Sequence, residues 1–307
     1  MKTTNNLTIA GGTGFLGQVL IEQLQGSFDT IYVLTRKFRP DYENVKYIQW
    51  DGLTLGDWQQ TIDHSNTVIN LSGKSVDCRY TQKNKIAILA SRVNTTRALG
   101  KAILLSKTPP TLWINSSTAT IYKDEKQKLM DEFTGEIGHN FSENVAQNWE
   151  QAFFDCYKRG VRQVALRTSI VLGKKGGALL PLKNLVKSGF GGKQGDGEQK
   201  VSWIHEQDFA RSVQFIIENE HIEGVINLVA PTPVTNKKFM KSLRETLQVS
   251  FGLPLPRPLL EIGAKLIKTE TELILKSRNV IPDRLLQQGF RFRFPRVELA
   301  LKDLLTS

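Results

Sequence analysis

A chain of 307 residues with 40% hydrophobic content holds enough apolar material for one large domain, or for one domain with a small appendage. No apolar run reaches bilayer-spanning length, and MKTTNNLTIAGG lacks the apolar core and cleavage site of a secretory signal, so the expectation is a cytoplasmic protein with no membrane partner. The net charge of +11 is not gathered into a run, so nucleic acid ranks below a solvated surface and below an anionic small-molecule pocket as its explanation.

The first predicted element lies in LTIAGGTGFLG, where an apolar run turns through glycines into QVLIEQLQ, with Val19, Leu20, Ile21 and Leu24 at helical spacing. Short β-forming runs follow at 30–36 (TIYVLTR), 46–51 (KYIQWD) and 66–73 (NTVINLSG). TLWINSS (111–117) gives a fifth strand, VRQVALRTSIVLG (161–173) a sixth, and GVINLVAP (224–231) a late one ended by Pro231. Continuous apolar strands alternating with helices predict an α/β fold, a doubly wound parallel sheet covered on both faces. The segment 173–200 breaks the rhythm, being rich in Gly and Lys around a short apolar stretch, and reads as an excursion toward a cleft. After Pro254, Pro256 and Pro258 the pattern runs helical to Lys276. The expected division is a dinucleotide-binding domain over 1–250 and a small C-terminal subdomain over 251–307. Cys78 and Cys156 lack partners at metal-ligand spacing, so they read as packing residues and no metal site is expected.

Gly11, Gly14 and Gly17 stand between strand and helix, the context a dinucleotide fingerprint requires. The first permits the tight turn, the second lets backbone approach a pyrophosphate, and the third lets helix and strand pack closely, with Thr13, Phe15 and Leu16 completing the turn. Where the second strand ends, NAD binders carry a carboxylate for the ribose hydroxyls; here Arg36 and Lys37 follow Thr35. Two cations suit a 2′-phosphate and favour NADP(H) over NAD(H), the other reading being exposed loop charges. Asp51, closing the third strand, is placed to meet an adenine amino group, and Leu71, Ser72 and Gly73 to line the ribose side.

AGGTGFLG, NLSGKSV, RYTQKNK, SRVNTTRAL, LRTSIVLGKKGGAL, GDGEQKVSWIHEQD, NLVAPTPVTNKKF and IPDRLLQQGFRFRFP together resemble the atypical extended short-chain dehydrogenase/reductases, in particular the epimerase/dehydratase-like group of unknown substrate. The resemblance covers nearly the whole chain. It implies a Rossmann-type sheet binding NADP(H), a substrate cleft between that sheet and the C-terminal region, and redox chemistry on a carbonyl or hydroxyl of a small, anionic, nucleotide-sugar-like substrate. Some members are linked by name to cell-division inhibition, which gives a second reading: an NADP(H)-sensing protein whose catalysis is lost. Related enzymes often dimerise through helices such as the one holding Arg92 and Trp149, so a homodimer is the assembly implied.

In related enzymes a Ser or Thr follows the fifth strand, and a Tyr–Lys pair lies on the next long helix, the Lys lowering the Tyr pKa. Ser116, Ser117 and Thr118 fill the hydroxyl position, with Ser117 or Thr118 expected to polarise the substrate oxygen. Tyr122 and Lys126 have the pair's spacing but fall in the loop leaving the strand. Registering Glu150 against the family's glutamate puts Ser142 and Ala146 where the pair belongs, so the standard pair is missing. Tyr122 is either a replacement proton donor or a packing residue. Arg79 and Arg92 are expected to hold an anion through guanidinium forks, or to pair on the surface. Gln199 lies in a segment able to fold over a ligand. His205 has the near-neutral pKa of a general base, or else serves the turn before a helix that Asp208 caps.

Overall fold

The computed structural model describes residues 4–266 and 269–306. The first half runs β1 (Asn6–Ala10), α1 (Phe15–Leu24), β2 (Thr30–Thr35), β3 (Val45–Gln49), α2 (Gln60–His64), β4 (Thr67–Asn70), α3 (Gln82–Leu105), β5 (Leu112–Thr118), α4 (Phe141–Phe154) and β6 (Arg162–Thr168). The second half runs β7 (Ile170–Leu172), α5 (Leu179–Leu185), β8 (Lys200–Val201), β9 (Trp203–His205), α6 (Glu206–Glu218), β10 (Gly224–Leu228), β11 (Val234–Thr235), α7 (Asn236–Thr246), α8 (Arg257–Leu266), α9 (Glu272–Leu275), α10 (Asp283–Gln287) and α11 (Val297–Thr306).

Seven strands form a parallel sheet in the order β10-β6-β5-β4-β1-β2-β3. Successive side chains alternate faces, and both faces are covered, which is why the strands read as continuous apolar runs. Leu7, Ile9, Ile114 and Leu166 pack on one face with Leu20, Ile21 and Leu24 of α1 and Phe209, Val213 and Ile216 of α6. Ala10, Val68, Trp113 and Ala165 pack on the other with Leu99, Ala102 and Ile103 of α3 and Phe153 of α4. The winding reverses between β1 and β4, and the crevice beyond the carboxyl ends of the strands at such a switch point is where ligands bind in open α/β sheets.

The sixth predicted strand is two. At Ser169 the chain leaves the main sheet: its N–H and Oγ both donate to the Leu228 carbonyl, at 3.2 and 3.3 Å, and β7 then pairs with β9 instead. Beyond this point a third core joins Leu172, Trp203, Phe239, Met240 and Leu243 to Val297, Leu301 and Leu304 of α11. The helix expected to run to Lys276 is α8 and then α9. Residues 267 and 268, which fall within that expectation, lie outside the described residues. No helix among the described residues is long and apolar enough to cross a membrane.

Candidate functional site

A cavity of about 830 Å³ opens at the carboxyl ends of β1, β4, β5 and β6, and the last residues of those strands and the turns after them line it with Gly11, Leu71, Gly73, Ser116, Ser117, Thr118 and Thr168. Gly11 has φ of +78°, and a Cβ there would stand 2.9 Å from the Leu71 carbonyl carbon. Gly17 is buried where a Cβ would fall on the backbone of Gly12, so α1 lies directly on the turn. Gly14 is the extended N-cap of α1 and makes no side-chain cap bond. The first N–H groups of α1 are therefore open toward a cavity lined by Gly14, Phe15, Leu16 and Gly17, the arrangement that receives a pyrophosphate. Thr13 and Ser72 are in the same turns but do not line the cavity; the Ser72 N–H donates to Asn70 Oδ1 at 3.0 Å.

Arg36 and Lys37 follow β2 at exposed positions, with no acidic partner among the described residues. Asp51 lies outside the cavity. Its carboxylate accepts from the Thr54 hydroxyl at 2.6 Å and from the N–H groups of Leu53 and Thr54 at 2.7 and 2.8 Å, which hold it down at about 2. The residue closes its own turn and borders a separate surface hollow beside Trp50 and Trp58, away from the cavity.

Under the cavity floor lies a chain of buried polar groups. Ser117 Oγ donates to Glu150 Oε1 at 2.5 Å, and Glu150 grips Arg167 through two bonds of 2.8 Å. Arg167 Nη1 donates to the Tyr122 hydroxyl at 2.9 Å, and that hydroxyl donates to Asn227 Oδ1 at 3.0 Å. Burial works to lower the Arg167 pKa, but the bonds and charge of Glu150 outweigh it and hold the guanidinium above its usual value. Tyr122 is only 2% exposed and does not line the cavity, so the phenol expected as a proton donor is instead a packing and hydrogen-bonding residue. Lys126 is exposed and pairs with Asp196 at 2.6 Å, which separates it from Tyr122. Thr118 differs from Ser117: its Oγ1 accepts from the Thr120 N–H at 3.1 Å, leaving its own proton free on the cavity wall.

The remaining expected ligands divide. Arg92 lines the cavity, its guanidinium 5.1 Å from the Trp149 ring and donating to the carbonyls of Lys74 and Ile88 at 3.0 and 3.1 Å; burial lowers its pKa to about 10. Arg79 instead donates to the Thr269 carbonyl and Glu270, at 3.0 and 3.2 Å. Gln199 is buried behind the wall and donates to the carbonyls of Gln194 and Ile274. His205 is wholly buried, accepts the Gln207 N–H at 3.0 Å through Nδ1 as the cap of α6, and stacks on Phe294. It is a structural residue, and the cap is His205 itself; Asp208 instead accepts from the N–H groups of Arg293 and Phe294 at 2.9 and 2.7 Å.

Sequence reasoning passed over two features. Tyr80 is the phenol that does line the cavity, with Ser142 also on its wall, and burial raises its pKa. The only signal was its place in RYTQKNK, at the mouth of α3. The second is a buried ion pair, Lys276 to Glu143 at 2.7 Å, whose ammonium also donates to the Thr120 carbonyl and so fastens the C-terminal segment to the loop after β5. Those two residues are over 130 positions apart, roughly, and no local pattern links them.

The description "NAD dependent epimerase/dehydratase family" matches residues 7–228, and a domain of unknown function, DUF1731, matches residues 255–304. The chain is 34% identical over 306 residues to epimerase family protein YfhF of Bacillus subtilis, covering 98% of each chain. It is 30% identical over 301 residues to epimerase family protein SDR39U1 of Bos taurus, covering 97% of this chain and 98% of that protein. The crystal structure of human SDR39U1 with NADPH superposes with a TM-score of 0.85 at 28% identity, over 98% of this chain and 99% of that one. UDP-N-acetylglucosamine 4-epimerase from Bacillus cereus, at 17% identity and a TM-score of 0.77 over 98% of each chain, shares the fold.

Proposed function

The chain belongs to the NAD dependent epimerase/dehydratase family, and on that premise we propose that it binds NADPH and reduces a carbonyl group, or oxidises the corresponding alcohol, in the cavity above β4, β5 and β6. The observation that carries the reading is one continuous cavity joining the uncapped N-terminus of α1 to a free hydroxyl proton on Thr118. Phe15 and Leu16 hold the pyrophosphate on backbone N–H groups, with Gly14 letting it approach. Arg36 and Lys37 take the 2′-phosphate, which sets the preference for NADPH. When bound, NADPH supplies the hydride, so that carbonyl, NADPH and one proton become alcohol and NADP⁺.

Thr118 donates a hydrogen bond to the substrate oxygen as negative charge gathers there. Tyr80, the phenol on the cavity wall, delivers the proton and regains one from solvent. Ser117 is a positioning residue, its proton committed to Glu150. NADPH consumption with a panel of aldehydes and ketones tests the reading: turnover should fall on Thr118→Val and on Tyr80→Phe, and absence of turnover across the panel would oppose it. One observation favours a second reading, an NADP(H) sensor without catalysis: α4 presents Ser142 and Ala146 at the places the standard Tyr–Lys pair of short-chain dehydrogenase/reductases would take. The sensor predicts NADPH binding with no consumption.

A further inference from the structure

The cavity has two chemically different ends. At one, Leu71 lies against Gly11 and Lys74 follows Gly73, while Arg92, whose Cζ would stand 3.3 Å from a Cβ on Gly73, lies over Trp149 and beside Tyr80, between the two ends. The other end is closed by α5, the strand pair of β8 and β11, α7 and α9, through Pro181, Leu182, Val201, Phe239, Leu273 and Ile274. No cation lines that end among the described residues.

Its polar groups are neutral or already engaged. Asn236 Oδ1 accepts the Gln194 N–H at 2.8 Å, and Asn236 Nδ2 donates to Gln194 Oε1 at 2.9 Å. The Glu270 carboxylate accepts the Tyr80 N–H at 2.6 Å and pairs with Arg79 at 3.2 Å. The N-terminus of α7 offers no anion site either: the N–H groups of Asn236, Lys237 and Lys238 are taken by the Gln199 and Gly197 carbonyls and by Thr235 Oγ1. A nucleotide-sugar diphosphate placed here would lose its hydration against apolar side chains with no compensating charge.

We propose that this end takes a neutral, largely apolar carbonyl compound or its alcohol, its hydrocarbon body seated between α5, α7 and α9 and its oxygen turned back toward Thr118. The assignment rests on the carbonyl-reductase reading for the chemistry performed, and on the cavity wall alone for the class of ligand. It separates this chain from relatives that act on nucleotide sugars, although the fold is shared.

The test is binding, read without turnover. NADPH-loaded protein is titrated with straight-chain methyl ketones of increasing length and with UDP-glucose, following nicotinamide fluorescence. The ketones should bind, each added methylene tightening binding about threefold to fourfold, and UDP-glucose should bind more weakly than the longest ketone. Leu182→Glu and, separately, Ile274→Glu should each weaken the longest ketone at least about tenfold while NADPH affinity and thermal melting stay unchanged; two positions guard against a variant that misfolds. Tighter binding of UDP-glucose, ketone binding indifferent to chain length, or no ketone binding would each overturn the proposal. If NADPH itself does not bind, the reductase reading falls, and isothermal titration calorimetry of the free protein still reads the same ketone titration, with the same outcomes deciding the ligand class.

Discussion

Ser117 and Thr118 are adjacent on β5, and both hydroxyls border the cavity, yet their protons have different destinations. Because Ser117 donates to a buried carboxylate and Thr118 only accepts, the two variants should separate. Thr118→Val should lower kcat by about a hundredfold or more while losing only the capping bond from the Thr120 N–H, about 1 kcal/mol of stability, whereas Ser117→Ala should lower stability and leave kcat within a few fold. Steady-state kinetics beside thermal melts checks this, and equal kcat losses would refute the division. Glu150→Gln leaves Arg167 buried with its partner's charge gone; denaturant unfolding should show a loss of about 3 to 5 kcal/mol. Sequence alone marked the hydroxyls, because strand and turn fix them locally. It left Tyr122 open between donor and packing residue, since that choice is made by Arg167 and Asn227, which come from β6 and β10, strands distant in the chain.

At the scale of elements, the glycine turn and α1 were legible because each glycine answers a local steric demand. The test is Gly17→Ala: with a Cβ on the backbone of Gly12, α1 must move off the turn, so NADPH affinity and stability should fall together. Retention of both would contradict the close packing. The capping of α6 was less legible, since a His before a helix and an Asp within its first turn both suit an N-cap. Burial depresses the His205 pKa below 6.5 against the pull of Asp303 and Asp208, with Arg293 assisting the depression. The unfolded chain therefore binds more protons than the folded one between that lowered value and about 6.5, so this contribution is complete above that pH and is lost as the pH falls through the window. Urea unfolding should show the wild type losing more stability between neutral and mildly acidic pH than His205→Asn, which keeps a capping side chain but cannot titrate. An equal loss would remove His205 from the account. The break of the sixth predicted strand at Ser169 was marked only by the polar run Arg167, Thr168 and Ser169, which an unbroken strand also accommodates, and the competing partner, β9, is what divides it.

At the scale of the molecule, the doubly wound sheet was legible from the alternation of apolar runs with helical patterns, since burial of both faces imposes it. The closure of the cavity was not, because its far wall gathers α5, α7 and α9 from separate stretches, and the segment after α9 is fastened by long-range contacts. Lys276 bonds the Thr120 carbonyl, and Asn279 Nδ2 donates to the Lys128 carbonyl at 3.0 Å. Cutting the chain after residue 250 should therefore expose Phe239, Leu243 and the cavity wall and yield aggregated protein; a soluble, cooperatively melting fragment would count against the shared third core. The central claim is that a basic loop after β2 and an open helix N-terminus together select NADPH. The measurement that meets it most directly is a fluorescence titration of wild type and Arg36→Ala with NADPH and with NADH. The account predicts micromolar NADPH binding that weakens about tenfold or more in the variant while NADH changes little. No binding of either dinucleotide, or equal affinities unaffected by Arg36→Ala, would contradict it.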